Sequence, residues 1–119
     1  MLSSDIEAFT APGTTRIAPR ALAEELDISM SDLADLIGVG RSALYDSDNG
    51  PKVQKSLSKL TQILVAATDL AGSRRRAILW FKHNPIPGYR FKTPMELFAS
   101  GQYETVRIII ENIRNGVYA

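Results

Sequence analysis

The chain contains no cysteine and only one histidine among its 119 residues. Without cysteine there are no disulfide bonds and no cysteine-ligated zinc or iron–sulfur clusters. The lone histidine, His83, leaves no histidine cluster to hold a metal ion, and the sequence does not group carboxylates that would replace one. We therefore expect neither a metal site nor a bound cofactor.

The sequence also lacks a long apolar run. No stretch approaches the ~20 apolar residues that a membrane-spanning helix requires. Residues 1–9 have neither the basic start nor the apolar core of a secretory signal. Because 45% of the residues are hydrophobic, the composition is typical of a folded globular protein. We expect a cytoplasmic protein that does not enter the membrane.

Motifs of enzyme catalysis are missing as well. The sequence has no Ser–His–acid set, no glycine-rich phosphate loop and no HExxH motif. The carboxylates of Glu96, Glu104 and Glu111 occupy positions typical of helix caps or solvated helix faces. We expect a protein that is not an enzyme.

Charge is distributed unevenly along the chain, although the net charge is only +1. Residues 1–16 carry −1 and residues 17–72 carry −3, whereas residues 73–119 carry +5. The run Arg74–Arg76 contributes most to this last value. It is either a solvated basic face or, since the whole C-terminal third is basic, a surface for an acidic partner, and Arg75 at its centre is a candidate contact.

Apolar periodicity and breaker residues predict an all-α protein. The first 16 residues have little periodicity and are expected to form a solvated arm. The Thr93–Pro94–Met95–Glu96 sequence predicts a capping box with proline in the first turn. The expected helices run from Pro19 to Glu25 or Leu26, from Ser29 to Gly38, from Gly40 or Arg41 through Tyr45 towards Asp48–Gly50, over 53–71, from Ser73 to Lys82, from Thr93 to Gly101, and from Gln102 to Asn115.

The longest expected helix follows Gly50 and Pro51. Its apolar residues are spaced alternately by four and three positions, as in a heptad seam: Val53, Leu57, Leu60, Leu64, Ala67 and Ala71. Two interpretations stay open for this helix. It is an ordinary core helix with one buried face, or it also provides a surface for self-association into a homo-oligomer.

Residues 28–45 have the pattern of a helix-turn-helix. The pattern resembles the DNA-binding half of the Xre/Cro group, and it is carried by Ile28, Ser29, Leu33, Ala34, Gly38, Val39, Arg41, Ser42, Leu44 and Tyr45. A capped helix, a small residue and a glycine turn allow the next helix to cross closely. The resemblance implies that Arg41, Ser42 and Tyr45 face DNA bases and that Lys52 contacts phosphate.

Acidic side chains around this motif oppose DNA binding. Asp46 and Asp48 follow on the same segment, and the net charge of −3 over residues 17–72 gives little release of counterions from DNA. A helix-turn-helix that serves only as a scaffold is therefore an equally open alternative. If the motif does bind operator DNA, two or more copies supplied by dimerisation are expected to be needed.

The C-terminal third has an ordered set of features that resembles the toxin-binding domain of the Xre/MbcA/ParS antitoxins. The matching residues are Ala77, Trp80, Thr93, Pro94, Leu97, Gly101, Val106, Ile113 and Gly116. The resemblance implies a partner of the RES type, an ADP-ribosyltransferase-like toxin that consumes NAD. In such families the C-terminal region of the antitoxin covers the NAD cleft, and the positions that match here are Asn115, Gly116, Val117, Tyr118 and Ala119.

Apolar residues outside the expected core provide further candidate contacts. Tyr89 and Phe91 lie in a loop with two prolines and a glycine, which would bury them under itself or present them to a partner. Ile108 lies off the apolar stripe of the last helix and is expected to face a partner. Trp80 and Phe81 are both expected to fill the core.

These observations together predict an all-α antitoxin with three segments: an arm over 1–16, an Xre-like helix-turn-helix domain over 17–72 that contains the long helix, and a toxin-binding domain over 73–119. It would bind and neutralise its toxin by steric occlusion in a heteromeric complex, and it would regulate its own operon if the helix-turn-helix binds DNA. The alternative is a stand-alone helix-turn-helix transcription regulator whose C-terminal third serves only dimerisation.

Overall fold

The computed structural model describes residues 16–45 and 50–117, and within these ranges the chain is all-α. The predicted arm lies outside the described residues except for Arg16, and so do Asp46, Asp48, Tyr118 and Ala119. The helices are α1 Pro19–Leu26, α2 Met30–Ile37, α3 Arg41–Tyr45, α4 Pro51–Ala71, α5 Arg74–His83, α6 Pro94–Ala99 and α7 Tyr103–Arg114.

Local capping interactions set the helix ends where the sequence places them. The hydroxyls of Ser29 and Ser73 each accept a hydrogen bond from a backbone N–H in the first turn of the following helix, α2 and α5 respectively. At α6 the capping box is complete, because the Glu96 N–H donates to Thr93 Oγ1 at 3.1 Å and the Thr93 N–H donates to Glu96 Oε1 at 2.9 Å. Gly38 ends α2 at a φ of 75°, as a left-handed cap requires.

The chain divides into two compact units between Gln62 and Ile63, within α4. The first unit contains α1, which packs against α2, and α2, which packs against α3. Its start is held by Gln54, whose side chain accepts from the Ile17 N–H at 2.8 Å and donates to the Ile17 carbonyl at 3.0 Å. The buried side chains of this unit include Leu22, Leu26, Leu33, Leu36, Leu44, Val53, Leu57 and Leu60.

The second unit is organised by a chain of three aromatic rings. Phe81 of α5 meets Phe98 of α6 edge-on with 6.3 Å between ring centroids, and Phe98 meets Tyr103 of α7 in the same way at 6.2 Å. Such pairs contribute about 0.5–1.5 kcal/mol beyond the burial of their area. They join three helices that are separated in sequence only by a loop and a short turn, so the loop between α5 and α6 has fixed ends.

The burial of α4 is broader than a heptad seam. Thr61, Ile63 and Val65 are buried in addition to the seam residues from Val53 to Ala67. The buried Thr61 hydroxyl is satisfied because it donates to the Leu57 carbonyl at 2.9 Å. Although α4 has 21 residues, neither it nor any other helix in the described ranges is long and apolar enough to cross a membrane.

The expectation that Trp80 and Phe81 both fill the core is wrong for Trp80. Phe81 is fully buried, whereas Trp80 is only half-buried. The two side chains are neighbours on one helix and point about 100° apart, so they meet different surroundings. The indole lies at the edge of the core with part of its ring accessible to solvent.

This difference predicts unequal losses of stability on truncation. Phe81→Ala should lower the free energy of unfolding by about 3–5 kcal/mol, because it empties a fully enclosed site. Trp80→Ala should cost less than this, since part of its ring is already accessible to solvent. Urea denaturation followed by circular dichroism measures both variants. Equal losses would mean that the indole is a core side chain after all.

Candidate functional site

The loop between α5 and α6 is a closed backbone structure. The Ile86 N–H donates to the Lys92 carbonyl at 2.9 Å and so joins the two sides of the loop. Within this closure the Tyr89 N–H donates to the Ile86 carbonyl at 3.2 Å, and the Lys92 N–H donates to the Tyr89 carbonyl at 3.1 Å. The Ile86 side chain is buried and anchors the loop to the second unit.

The tip of this loop is conformationally strained. Arg90 and Phe91 both have a φ of 57°, next to Gly88 at 88°. The left-handed region costs a residue other than glycine about 1–2 kcal/mol. Strain of this kind persists only where the surrounding structure imposes it, and it is concentrated at functional sites.

The apolar residues of the loop were expected either to be buried under it or to be presented to a partner, and their exposure differs from one position to the next. Ile86 is buried, Tyr89 is half-buried, and Phe91 is 67% exposed. Phe91 therefore combines a strained backbone with an aromatic ring that the protein does not use for its own packing. An exposed aromatic side chain on a fixed backbone is the kind of residue that anchors protein–protein interfaces.

A polar cleft of about 270 Å³ lies beside this tip. It is lined by Gly88, Tyr89, Arg90, Lys92, Leu97 and Gln102. Its two cations are part of the loop itself. Among these residues the sequence indicated only Tyr89 as a candidate contact. Gln102 had no such signal, because it comes beside the loop only through the return of the chain after α6.

The second unit is strongly cationic. Residues 63–119 contain eight Arg and Lys and four Asp and Glu. Two of these carboxylates are used within their own helices: Glu96 in the capping box, and Glu104, which accepts a hydrogen bond from Arg107 Nε at 2.8 Å. This bond raises the pKa of Arg107 above its ordinary value. The predicted contact Arg75 is exposed on α5.

The end of α7 is a defined cap up to Val117. Gly116 has a φ of 78°, its N–H donates to the Ile113 carbonyl at 3.0 Å, and the Val117 N–H donates to the Asn112 carbonyl at 2.8 Å. These two bonds make a Schellman motif, which satisfies carbonyls that a frayed helix end would leave to water. The side chain of Val117 is 63% exposed. The predicted contacts Tyr118 and Ala119 lie outside the described residues.

The predicted partner contacts are accessible but lie on separate elements. Ile108 is 45% exposed, while Val106, Ile109 and Ile110 of the same helix are buried, so its position off the apolar stripe is confirmed. Arg75 lies on α5, Tyr89 and Phe91 on the loop, and Asn115–Val117 beyond α7. In the described part of the second unit, no group of three His, Asp or Glu side chains is placed to hold a metal ion.

The first unit contains a separate cluster of cations around an exposed tyrosine. The guanidinium carbons of Arg20 and Arg41 lie 6.0 and 5.9 Å from the centre of the Tyr45 ring, within the range of cation–π attraction. Arg41 and Ser42 at the start of α3 are exposed, as is Lys52 in the first turn of α4. Sequence reasoning missed Arg20, because only the packing of α1 brings it to Tyr45.

Comparisons with protein-family models, curated proteins and solved structures give no significant match to this chain. Function is therefore argued from the chemistry and geometry of the sites. Two surfaces stand out. One is the loop surface, defined as Tyr89, Arg90, Phe91 and Lys92. The other is the α3 cluster, defined as Arg20, Arg41, Ser42 and Tyr45.

Because the backbone of Phe91 is strained, the glycine variant at this position should be more stable than the alanine variant, the reverse of the usual order. Phe91→Gly should have a free energy of unfolding about 1 kcal/mol higher than Phe91→Ala, because glycine adopts a positive φ without steric cost. Lys92 is the control, since it lies next in the chain without a positive φ. There alanine should be the more stable variant. Thermal or urea unfolding of the four variants measures both differences, and a preference for alanine at both positions would contradict the strain.

Proposed function

We propose that this protein is an antitoxin that binds and neutralises a RES-type, ADP-ribosyltransferase-like toxin by covering its NAD cleft. The observation that carries the proposal is Phe91, an exposed aromatic ring held at positive φ in a closed, cationic loop. The ordered likeness of residues 73–119 to the Xre/MbcA/ParS toxin-binding domain gives the class of partner. The exposed ring and the two cations of the loop support a binding surface for such a partner.

The loop surface is the affinity element of this proposal. Phe91 enters an apolar recess of the toxin, while Arg90 and Lys92 pair with carboxylates around it. Because the closed loop fixes the ring before binding, little conformational entropy is lost when the complex forms. A rigid aromatic anchor surrounded by complementary charge is the usual arrangement of an interface hot spot.

The chain terminus is the occluding element. The Schellman cap at Gly116 fixes the direction in which Val117 leaves α7. Inhibition is then steric and requires no catalytic group from this chain.

The α3 cluster supports a second, regulatory role at DNA. In this proposal α2 and α3 form an Xre-type helix-turn-helix, with Arg41, Ser42 and Tyr45 towards base edges and Lys52 towards phosphate. The ring contacts of Arg20 and Arg41 orient Tyr45 before binding. The cluster would allow the antitoxin to regulate its own operon. If no toxin exists, it makes the chain a stand-alone regulator whose C-terminal third serves dimerisation.

The toxin assay separates anchoring from occlusion. The partner is the product of the adjacent reading frame, which the proposal requires to be a small NAD-consuming protein. Phe91→Gly should weaken binding of this toxin about tenfold or more while the fold stays intact. Deleting Val117, Tyr118 and Ala119 should leave binding largely intact and abolish inhibition. NAD turnover and a binding titration, run side by side, measure both effects.

Two results would contradict this division of roles. Full inhibition by the truncated protein would place occlusion elsewhere on the surface. Unchanged binding by Phe91→Gly would remove the loop surface as the anchor. Leu79→Ala is the matched control, because it removes an exposed apolar side chain of α5 that lies outside the loop surface.

The DNA role is tested by charge removal in the first unit. The double variant Arg41→Ala, Lys52→Ala should bind operator DNA more weakly and with a smaller dependence on salt, because two cationic contacts are lost. A gel-shift series over a range of salt concentrations measures both quantities. If the wild-type protein itself leaves the upstream region unbound at low salt, the motif is a scaffold and the regulatory role is removed.

A further inference from the structure

The polar cleft beside the loop tip has two cations in its lining and no carboxylate. Its volume is about 270 Å³, and it is lined by Gly88, Tyr89, Arg90, Lys92, Leu97 and Gln102. Arg90 and Lys92 supply the charge of this lining. Tyr89 adds a hydroxyl, and Gln102 adds an amide. The side chains around the cleft therefore present hydrogen-bond donors together with a charge of +2.

Neither cation has a partner in the part of the chain that the structure describes. Arg90 and Lys92 form no ion pair and no side-chain hydrogen bond with any described residue. The two carboxylates that follow them most closely in sequence are used elsewhere. Glu96 accepts a hydrogen bond at 2.9 Å within the capping box, and Glu104 accepts one from Arg107 Nε at 2.8 Å. No described carboxylate therefore offsets the charge of the cleft.

The loop backbone adds further donors to the residues that line the cleft. The N–H groups of Ile86, Tyr89 and Lys92 are used in closing the loop. Those of Gly88 and Arg90 donate to no acceptor among the described residues. Because the loop is closed and Arg90 is held at a positive φ, its backbone is ordered before any ligand arrives. Backbone N–H groups of turns commonly form anion-binding concavities of this kind.

We infer that this cleft binds a phosphate group with two negative charges, either inorganic phosphate or the phosphate of a small monoester. The Arg90 guanidinium binds two of its oxygens and the Lys92 ammonium a third, through charge-assisted hydrogen bonds. The Tyr89 hydroxyl completes the contacts with Gln102 Nε2, which gives one hydrogen to Ser100 Oγ at 3.2 Å and keeps a second. Above its second pKa of about 6, a phosphate monoester supplies nearly two charges and three acceptor oxygens.

Singly charged groups match this cleft less well. A carboxylate or a phosphodiester has one negative charge and would leave one of the two cations uncompensated. In the proposed function the same cations pair with carboxylates of the toxin, so a bound phosphate competes with the toxin for them. The binding of phosphate follows from the lining of the cleft alone, whereas this competition rests on the proposed function.

A series of three ligands tests the charge requirement. The probes are inorganic phosphate, methyl phosphate and dimethyl phosphate, and only the last is confined to a single charge. Titration of the isotope-labelled full chain, followed by nuclear magnetic resonance, should move the amide signals of Gly88, Arg90 and Gln102 in a saturable way with the first two ligands. Dimethyl phosphate should bind about tenfold more weakly, because it lacks the second charge.

The pH dependence gives an independent readout. Lowering the pH from about 7.5 to about 5.5 protonates the dianion of methyl phosphate and should weaken its binding, while the binding of dimethyl phosphate should not change. The comparison of inorganic phosphate with methyl phosphate separates the two sources of the group. Equal affinity would show that the phosphate alone is recognised, and tighter binding of methyl phosphate would show that the cleft also contacts the ester.

Matched variants locate the binding to the cleft. Lys92→Gln should weaken methyl phosphate about tenfold, because one charged contact is lost. Arg90→Gly should weaken it at least as much, and its fold should be retained, since glycine relieves the positive φ at this position. Arg75→Gln is the control, because it removes an exposed cation of α5 that does not line the cleft. Circular dichroism establishes the fold of each variant.

Three outcomes would overturn the inference. These are the absence of saturable shifts with both doubly charged ligands, equal affinity for methyl and dimethyl phosphate, and equal losses in Lys92→Gln and Arg75→Gln. The toxin titration separates this inference from the proposed function. A chain that binds methyl phosphate but no toxin would remove only the proposed function, and one that binds toxin but neither doubly charged ligand would remove only the phosphate site.

Discussion

The second unit depends on the edge-to-face contacts that run from Phe81 through Phe98 to Tyr103. These rings join α5, α6 and α7, which local interactions alone would leave unconnected. Phe81 is also fully enclosed, so the helix that carries it has a single permitted rotation. That rotation also sets the burial of the neighbouring side chains on α5, because it turns Trp80 towards the edge of the core and keeps Arg75 in solvent.

The same anchoring makes the strained loop possible. A left-handed arginine followed by a left-handed phenylalanine would relax in a free peptide, since the region is unfavourable for both. Here the buried Ile86 and the bond from its N–H to the Lys92 carbonyl hold the ends of the loop together. The energy released by core packing offsets the local strain, and Phe91 is held in a position that only a partner would cover.

The loop surface combines an aromatic side chain, Phe91, with the neighbouring cations Arg90 and Lys92. A surface of this composition would steer acidic partners during encounter. The α3 cluster differs in its surroundings, because its two arginines lie against a tyrosine in a segment of the chain that is acidic overall.

The sequence by itself determined the helices and their ends, because these depend on contacts over a few residues. Thr93 and Glu96 cap α6, and Gly38 ends α2, wherever the rest of the chain lies. Only the tertiary structure decided which residues face the core and which meet across the fold. Periodicity could not rank Trp80 against Phe81, and nothing local brings Arg20 to Tyr45. The positive φ of Phe91 likewise has no sequence signal, since phenylalanine does not favour it and only the packing around the loop imposes it.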